Sequence, residues 1–407
     1  MKITFLTNTL VLPDQPGLPR PWRVAKFLGD MGHDVTVIAN KRHYLEEELT
    51  VGGTIEEPLL IDGIKVIGVE TTAGRRKSIV KRLKNYISVS RGFKKAAIAQ
   101  GRPDLLIVGT PPPIFTPYVG WRLKRKFKCK AILEIRDLYP HSAVGMGLIK
   151  NKLLIYIWQT LENFLQKRFD QLVVVVPGMK PMVQEQGIDP DKVTVITNGY
   201  DLDNDQAEVL EGDVKDYFDN NKGRFIFSYG GNMGFANDVG LMLGAAELLK
   251  DDDRFRFAFF GEGQRKQGYL REVEEKNLTN VQFFPNQSRP VISTVFRSSF
   301  ALLHAYTPSP LWDYALPNKI FEYHGAARPV IFAGGGDIKN LIETADSGLV
   351  ISAGDAPALA AAIKELAASP EKADQKGTNG RAYILEHFSR EKIFKTWRVV
   401  LEGLGIK

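Results

Sequence analysis

The chain has 407 residues, 44% hydrophobic and 25% charged, which is typical of folded globular proteins. This length exceeds what one hydrophobic core supports, so we expect two domains. The single cysteine, Cys129, excludes an intramolecular disulfide and fits a reducing compartment. The net charge of +7 is unevenly divided: residues 1–200 carry 30 Lys+Arg against 18 Asp+Glu, a balance of +12, and residues 201–407 carry −5.

The first half alternates short apolar strands with helices. The opening apolar run ends before Pro13 and is too short for a signal peptide, so it predicts a β-strand. No stretch approaches 18 uncharged apolar residues, so we predict no membrane-spanning helix. Fully apolar strands between helices are typical of a parallel sheet covered on both faces. The predicted strands are 3–6, 34–39, 105–108, 131–135 and 172–176, with helices at 22–31 and 153–168.

Two basic clusters account for the charge of the first half. Apolar residues interleave the first cluster, which contains no acid, and this favours an anionic membrane surface as a partner. A solvated basic face is the alternative, and no base-reading motif suggests nucleic acid. We therefore expect a cytoplasmic protein held peripherally at the inner face of the membrane. The clusters are Arg75, Arg76, Lys77, Lys81, Arg82, Lys84, Arg91, Lys94 and Lys95, then Arg122, Lys124, Arg125, Lys126, Lys128 and Lys130.

Polar residues follow the fourth predicted strand, where ligands of open α/β sheets bind. Asp137 and His141 are candidates to position an acceptor hydroxyl or a donor sugar. A structural salt bridge of Arg136 with Asp137 or Glu134, and a capping role for His141, is the alternative. Arg20 is a candidate for an acceptor phosphate or a plain surface arginine.

The second half repeats the alternation with strands at 225–229, 255–260, 281–284, 300–303 and 330–332. Asn198-Gly199 is a turn signal, and the acidic run that follows it to Asn221 is typical of a linker. The pattern predicts two doubly wound α/β domains joined near residue 200. Asp201-Leu202-Asp203 imitates a metal-binding motif, but its place at this linker and the absence of His ligand spacing predict no metal site.

Glycine-rich loops follow the first two strands of the second half. Gly231, Asn232 and Gly234 follow one strand, and Gly261-Glu262-Gly263 follows the next. Glycine lets a backbone approach a phosphate or a sugar closely. Phe284, which ends the third strand, is a candidate to meet a nucleobase. Because these loops follow parallel strands, we expect them at one edge of the sheet.

The segment Leu316-Pro-Asn-Lys-Ile-Phe-Glu-Tyr323 predicts a short helix with Asn318 near its start. Lys319 in the first turn opposes the positive helix end, at about 0.3–1 kcal/mol, unless an anion is bound there. The free N–H groups of the same turn bind phosphate. We predict a diphosphate on this turn, with Glu322 reaching sugar hydroxyls; a surface lysine that extends into solvent is the alternative.

Taken in order, Gly-His-Asp-Val-Thr-Val, Ile-Thr-Asn-Gly-Tyr-Asp, Tyr-Gly-Gly-Asn-Met-Gly, Gly-Glu-Gly and Pro-Asn-Lys-Ile-Phe-Glu-Tyr resemble the retaining family 4 glycosyltransferases. The resemblance is closest to the branch that builds bacterial surface polysaccharides. It implies the GT-B fold, two Rossmann-like domains facing across a cleft. The implied division is an acceptor-binding domain at 1–198, a nucleotide-sugar domain at 199–386 and a C-terminal helix at 387–407 that crosses back.

The resemblance carries over to individual residues only in part. Glu322 matches the second glutamate of the family's Glu-x7-Glu motif, which binds the nucleotide ribose, but the first falls at Tyr314. The usual basic pair falls at Asn232 and Asn237, so Lys319 would replace it. The donor site expected from residues and resemblance together is Gly231, Asn232, Gly234, Phe284, Asn318, Lys319 and Glu322.

The implied reaction moves a hexosyl or N-acetylhexosaminyl unit from a nucleotide sugar, with UDP favoured, to a saccharide or polyprenyl-diphosphate-linked acceptor. It needs no metal or other cofactor, because Lys319 and backbone N–H groups would stabilise the leaving diphosphate. Lys319, Asp137 and His141 are the catalytic candidates. The alternatives are a nucleotide-sugar epimerase and a non-catalytic nucleotide-sugar-binding protein.

Overall fold

A computed structural model describes residues 1–12, 20–41, 54–70, 79–145, 149–202 and 208–406, without the side chains of 79–83. The predicted basic residues Arg75, Arg76 and Lys77, and the side chains of Lys81 and Arg82, lie outside this description. The chain divides into two compact units. The first contains residues 1–197 and 394–407, and the second contains residues 198–393.

The first unit is built on one sheet, whose strand order reverses between β1 and β5. The carboxyl ends of β1 and β5 therefore form its switch point, where ligands of such sheets bind. Among the described strands only the β3–β4 pair is antiparallel, so the predicted parallel sheet is confirmed. The strands are β1 (Lys2–Thr7), β2 (Asp34–Asn40), β3 (Leu59–Ile61), β4 (Ile64–Val69), β5 (Leu105–Gly109), β6 (Lys130–Ile135), β7 (Gln171–Val174) and β8 (Val193–Val195), in the order β3-β4-β2-β1-β5-β6-β7-β8.

The helices of the first unit alternate with these strands, as the sequence predicts. The Asn151 side chain caps one of them by accepting a hydrogen bond of 3.1 Å from the N–H of Leu154. The helices are α1 (Arg20–Asp30), α2 (Ile79–Ala99), α3 (Phe115–Phe127), α4 (His141–Gly145), α5 (Lys152–Gln166) and α6 (Met179–Glu185), with a 3₁₀ turn at Pro190–Lys192.

One edge of this sheet is a hairpin that the strand predictions missed. β3 and β4 join through Asp62 and Gly63, whose φ angles are 48° and 78°. Both angles lie in the left-handed region, which Asp-Gly adopts in two-residue hairpin turns. Asp62-Gly63 was therefore a usable signal in the sequence.

The second unit is built on an all-parallel sheet with the Rossmann strand order, and its switch point lies between β9 and β12. Phe227, Phe255, Phe257 and Phe259 fill its core from one face. The strands are β9 (Phe225–Gly230), β10 (Phe255–Phe260), β11 (Val281–Phe284), β12 (Ala301–Ala305), β13 (Val330–Ala333) and β14 (Gly348–Ile351), in the order β11-β10-β9-β12-β13-β14.

Helices also alternate with strands here, and several begin at a capping side chain. Asp238 accepts from the N–H of Leu241 at 3.1 Å, and Asp355 accepts from that of Ala358 at 2.8 Å. The helices are α7 (Gly212–Asn220), α8 (Val239–Leu248), α9 (Lys266–Glu275), α10 (Arg289–Ser298), α11 (Asn318–Gly325), α12 (Gly336–Thr344), α13 (Ala356–Ala368) and α14 (Pro370–Phe388), with a 3₁₀ turn at Pro310–Tyr314.

The last helix, α15 (Arg390–Gly403), returns the chain to the first unit, which residue 394 rejoins. The ring of Phe394 stacks on Phe27 of α1 with centroids 4.2 Å apart. Trp397 is fully buried in the same unit. In the part of the chain that the structure describes, no helix is both long and apolar enough to span a bilayer.

Candidate active site

Lys319 lies in the first turn of α11 and points to the end of β9. Its Nζ is 3.1 Å from the hydroxyl oxygen of Tyr229 and 4.4 Å from the centroid of that ring. Burial lowers the pKa of Lys319 to about 7, and Glu322 partly offsets this. The half-buried amine therefore lies at the switch point of the second unit and does not extend into solvent.

Tyr229 connects this lysine to the glycine-rich loop. Its hydroxyl donates to the carbonyl oxygen of Asn232 at 2.8 Å, and the Asn237 amide donates to the same oxygen at 2.8 Å. Burial raises the pKa of Tyr229 well above its ordinary value, so the hydroxyl stays protonated. Sequence reasoning missed Tyr229, which reads as one more apolar position in a strand.

Gly231 touches the lysine from the loop side. A Cβ at Gly231 would lie 2.5 Å from Lys319 Nζ, and its φ of 143° disfavours other residues. A Cβ at Gly261 would overlap the carbonyl oxygen of Gly231, and one at Gly263 would overlap the backbone of Met233. The two predicted glycine loops are therefore in backbone contact beside Lys319.

Lys266 connects the loop at Gly261–Gly263 to the end of β11 through hydrogen bonds. Its buried amine donates to the carbonyl oxygens of Gly261 at 2.9 Å and Phe284 at 3.2 Å, and to the Glu262 carboxylate at 2.6 Å. Three acceptors saturate the three N–H bonds of an ammonium. Lys266 is therefore a positioning residue, and the sequence analysis did not single it out.

Phe284 has a different surrounding from the one predicted. Its ring is 3% exposed, stacks on Phe260 with centroids 4.7 Å apart and meets Tyr217 edge-on at 5.4 Å. The ring therefore fills the core and is not available to stack on a nucleobase.

Glu322, one turn after Lys319 in α11, lines an open pocket of about 300 Å³. Arg289 and Ser293 of α10 and the ring of Tyr200 share this pocket. One turn earlier, the buried side-chain oxygen of Asn318 has no hydrogen-bond partner among the described residues. The pocket thus combines a carboxylate, a guanidinium and a hydroxyl, which suits a polyhydroxylated ligand.

His304 of β12 is buried next to this site. It stacks on Phe332 at 5.5 Å, and neither ring nitrogen has a hydrogen-bond partner in the described residues. Burial and the charge of Lys319 lower its pKa well below 6.5. The imidazole is therefore neutral and adds no charge to the lysine's surroundings.

In the first unit, Glu134 is fully buried between two guanidinium groups. Its carboxylate is 3.0 Å from Nε of Arg20 and 2.8 Å from Nε of Arg136. Burial alone would raise the pKa of Glu134, but the two arginines outweigh it and hold the pKa below the ordinary value. Arg20 also donates to the carbonyl oxygen of Thr197 at 2.6 Å, so it is not a surface arginine.

Arg136 lies at the switch point of the first unit. It donates to the Thr9 hydroxyl, just beyond β1, at 2.8 Å, and its buried Nη2 has no hydrogen-bond partner among the described residues. Asp137 and His141 follow it, and both are exposed. The Arg136–Glu134 salt bridge, one of the predicted alternatives, is therefore present. Asp137 and His141 are not members of this ion pair.

Asp201, the first carboxylate of the Asp-x-Asp sequence, is buried and ion-paired with Arg390. Asp203 lies outside the described residues.

Cys129 is a free, buried thiol whose pKa burial raises to about 11.

Two family models match the chain: Glycosyltransferase Family 4 over residues 22–204, and Glycosyl transferases group 1 over residues 224–369. The chain belongs to glycosyltransferase family 4. The predicted family is confirmed, and the matches cover most of both units.

Curated relatives of this family 4 glycosyltransferase include the probable glycosyltransferase WbjE of Pseudomonas aeruginosa. It is 24% identical over 65% of this chain and 66% of its own length, just under two thirds. The putative colanic acid biosynthesis glycosyl transferase WcaI of Escherichia coli K12 is 24% identical over 67% of this chain and 70% of its own.

Solved structures share the whole architecture. The sucrose-phosphate synthase of Thermosynechococcus elongatus superposes with a TM-score of 0.77 at 16% identity, covering 99% of this chain and 98% of its own. Anabaena Alr3699/HepE in complex with UDP superposes with a TM-score of 0.72 at 15% identity, covering 99% of this chain and 100% of its own. The predicted GT-B fold of two Rossmann-like domains is confirmed.

Proposed function

We propose that the protein is a retaining glycosyltransferase that moves a sugar from a UDP-sugar to a glycan or lipid-linked saccharide in cell-surface polysaccharide synthesis. One observation carries the proposal: the Lys319 amine lies 3.1 Å from Tyr229 at the switch point of the second unit, beside the Gly231 loop and the first turn of α11. The names of the curated relatives and the UDP complex of HepE support the choice of donor and product.

The diphosphate is proposed to lie on the first turn of α11. Lys319 supplies a positive charge there, and the N–H groups of the turn and of the Gly231 loop supply donors. Asn318 begins this turn, and Glu322 lies in the adjoining pocket, where its carboxylate accepts the ribose hydroxyls. A sugar attached to the diphosphate would then lie at the end of β9, past Asn232 and Gly234.

The proposed reaction breaks the bond between sugar C1 and the diphosphate oxygen, while the acceptor hydroxyl oxygen bonds to C1 on the same face. The hydroxyl proton passes to the departing phosphate oxygen, so no enzyme nucleophile is needed. Negative charge builds on the diphosphate, and fixed donors aimed at it lower the barrier. Lys319 and backbone N–H groups supply this charge stabilisation, so the proposal includes no metal ion or other cofactor.

The acceptor is proposed to bind the first unit, with Asp137 and His141 positioning its hydroxyl or the donor sugar. Both are exposed just after β6, at the edge where ligands of parallel sheets bind. A saccharide on a polyprenyl diphosphate is the proposed form of acceptor. Such a lipid would place the enzyme peripherally at the inner face of the membrane.

A thermal-shift titration with UDP, GDP, ADP and NAD tests the donor site in the wild type, Lys319→Ala and Glu322→Ala. A ligand at about 100 times its Kd stabilises the native state by about 2.7 kcal/mol. We expect a UDP-selective shift that both substitutions abolish. Lys339→Ala is the matched control, because Lys339 lies in α12 with its side chain 47% exposed and only a surface ion pair at 3.8 Å.

The anomeric configuration of the product, followed by NMR with a UDP-sugar and an oligosaccharide acceptor, tests retention. Inversion would contradict the same-face mechanism. Conversion of the sugar without an acceptor would instead identify an epimerase. Nucleotide binding without turnover on any acceptor would favour a binding protein.

A further inference from the structure

We infer that the outer face of α5, continued onto α3, is a docking surface for an anionic lipid bilayer. The inference deepens the proposed function, since it rests on a membrane-borne acceptor, and it assigns the contact to a particular helix face. The sequence predicts this segment only as a helix at 153–168.

α5 is an inverted amphipathic helix. Two of its three buried residues, Glu162 and Gln166, are polar, and apart from the buried Leu165 most of its apolar residues face solvent. The exposed fractions reach 68% at Leu153 and 70% at Tyr156. The other exposed apolar residues on this helix are Leu154, Ile157, Leu161 and Phe164. A helix of an ordinary globular protein buries this stripe against the core, so the exposed face requires a partner.

The buried polar side fixes the helix in this orientation. A carboxylate oxygen of Glu162 accepts the N–H of Ile114 at 2.9 Å, at the start of α3. Burial raises the pKa of Glu162 to about 7, and the hydrogen bond from Ile114 partly offsets this. If α5 rotated so that its apolar stripe faced the core, the hydrogen bond between the N–H of Ile114 and the carboxylate of Glu162 would be lost. The exposed apolar face is therefore built into the fold.

Aromatic residues extend the face from α5 to α3. The Trp121 ring lies 5.5 Å from Phe164 of α5 and 5.9 Å from Tyr118, which is 46% exposed. The guanidinium groups of Arg125 and Arg168 each lie 5.5 Å from the Trp121 centroid. Tryptophan and tyrosine beside arginine are typical of the bilayer interface, where apolar rings enter the headgroup layer and cations meet phosphates.

Charge decides between a bilayer and a second copy of the chain. Glu162, which is buried, is the single acidic residue in the sequences of α3 and α5. Arg122, Arg125 and Lys126 lie on α3, and Lys152 begins α5. Pairing this face with its own copy would bring like charges together. An anionic leaflet complements both the apolar stripe and its cations.

Co-sedimentation of the full chain with phosphatidylcholine vesicles, with and without phosphatidylglycerol, tests the inference. We expect binding to the anionic vesicles that salt weakens. The double variant Leu153→Glu/Tyr156→Glu should lower the vesicle partition coefficient by about tenfold or more. The control Leu60→Glu/Val399→Glu adds the same charge at apolar positions that are 65% and 62% exposed, also in the first unit, and should bind like the wild type.

Equal partitioning of the two double variants, or no wild-type binding to anionic vesicles, would overturn the inference. So would a dimer in sedimentation velocity that Leu153→Glu/Tyr156→Glu dissociates. The UDP-induced thermal shift of each variant is measured in parallel. A retained shift with lost vesicle binding separates the docking surface from the donor site, so failure of either proposal is recognised separately.

Discussion

The hydroxyl of Tyr229 lies between two partners that are distant in sequence: it accepts from Lys319 at 3.1 Å and donates to the Asn232 carbonyl at 2.8 Å. One buried hydroxyl therefore sets the position of both the lysine and the glycine-rich loop. If the diphosphate binds between them, the donors that meet it are arranged before the ligand arrives, and this is the condition for electrostatic catalysis.

Tyr229→Phe should lower kcat by about tenfold and leave the fold intact, because it frees the lysine and the loop while keeping the ring. Initial rates on a UDP-sugar and the midpoint of thermal unfolding measure the two effects. Tyr217→Phe is the matched control, since the buried Tyr217 hydroxyl has no hydrogen-bond partner among the described residues. An equal loss of activity in both variants would contradict a special role for Tyr229.

Affinity for UDP should fall as the pH rises through about 7, because burial lowers the pKa of Lys319 to about 7 and the ammonium loses its proton in this range. Lys319→Arg should flatten the profile, since a guanidinium stays charged throughout. Calorimetric titration of both proteins with UDP from about pH 6 to about pH 9 measures this. The arginine variant also reports the pH dependence that comes from titration of UDP itself. If UDP affinity changes with pH equally in the two proteins, the pH dependence does not come from Lys319.

Gly261→Ala should reduce the free energy of unfolding by about 2–3 kcal/mol, because the new Cβ would overlap the backbone of Gly231 at a φ of 144°. Gly268→Ala should instead add about 0.5–1 kcal/mol, since Gly268 lies inside α9 with nothing within 4 Å of its Cβ position. Urea unfolding of both variants measures the contrast. Destabilisation by Gly268→Ala, or none by Gly261→Ala, would contradict the loop geometry.

Glu134→Gln should cost about 3–5 kcal/mol of stability, because it leaves the buried Arg20 without its counter-charge. The folded-state pKa of Glu134 is lowered from 4.5, so its stabilising contribution is present above pH 4.5 and is lost as the pH falls below it. Urea unfolding at neutral and acidic pH measures this. The difference in the free energy of unfolding between wild type and variant should be smaller at acidic pH. Glu343→Gln, at an exposed ion pair, should change stability by less than about 0.5 kcal/mol.

The sequence predicts the frame of the site well, because apolar strand runs, glycine pairs and a cation at a helix start are local patterns. Parallel strands place their following loops at one edge, and the structure does bring Gly231 and Lys319 together. The sequence could not predict which side chains hold these residues in position. Tyr229 and Lys319 are 90 residues apart, and Glu134 and Arg20 are 114 apart.

α5 shows a second limit of sequence reasoning. Periodicity identifies an apolar stripe but does not say which way it faces, since a core face and an exposed docking face have the same spacing. The buried Glu162 decides the direction through its contact with Ile114, and that contact exists only in the folded chain. The predicted ring contact of Phe284 failed for a related reason, because its neighbours Phe260 and Tyr217 come from other elements.

The return of residues 394–407 to the first unit also bears on how the protein is made. Trp397 is fully buried there, so the core of the first unit lacks a central side chain until the ribosome has translated past that codon. The second unit is one continuous segment and is complete at residue 393. The domain that is synthesised first is therefore the one that is finished last.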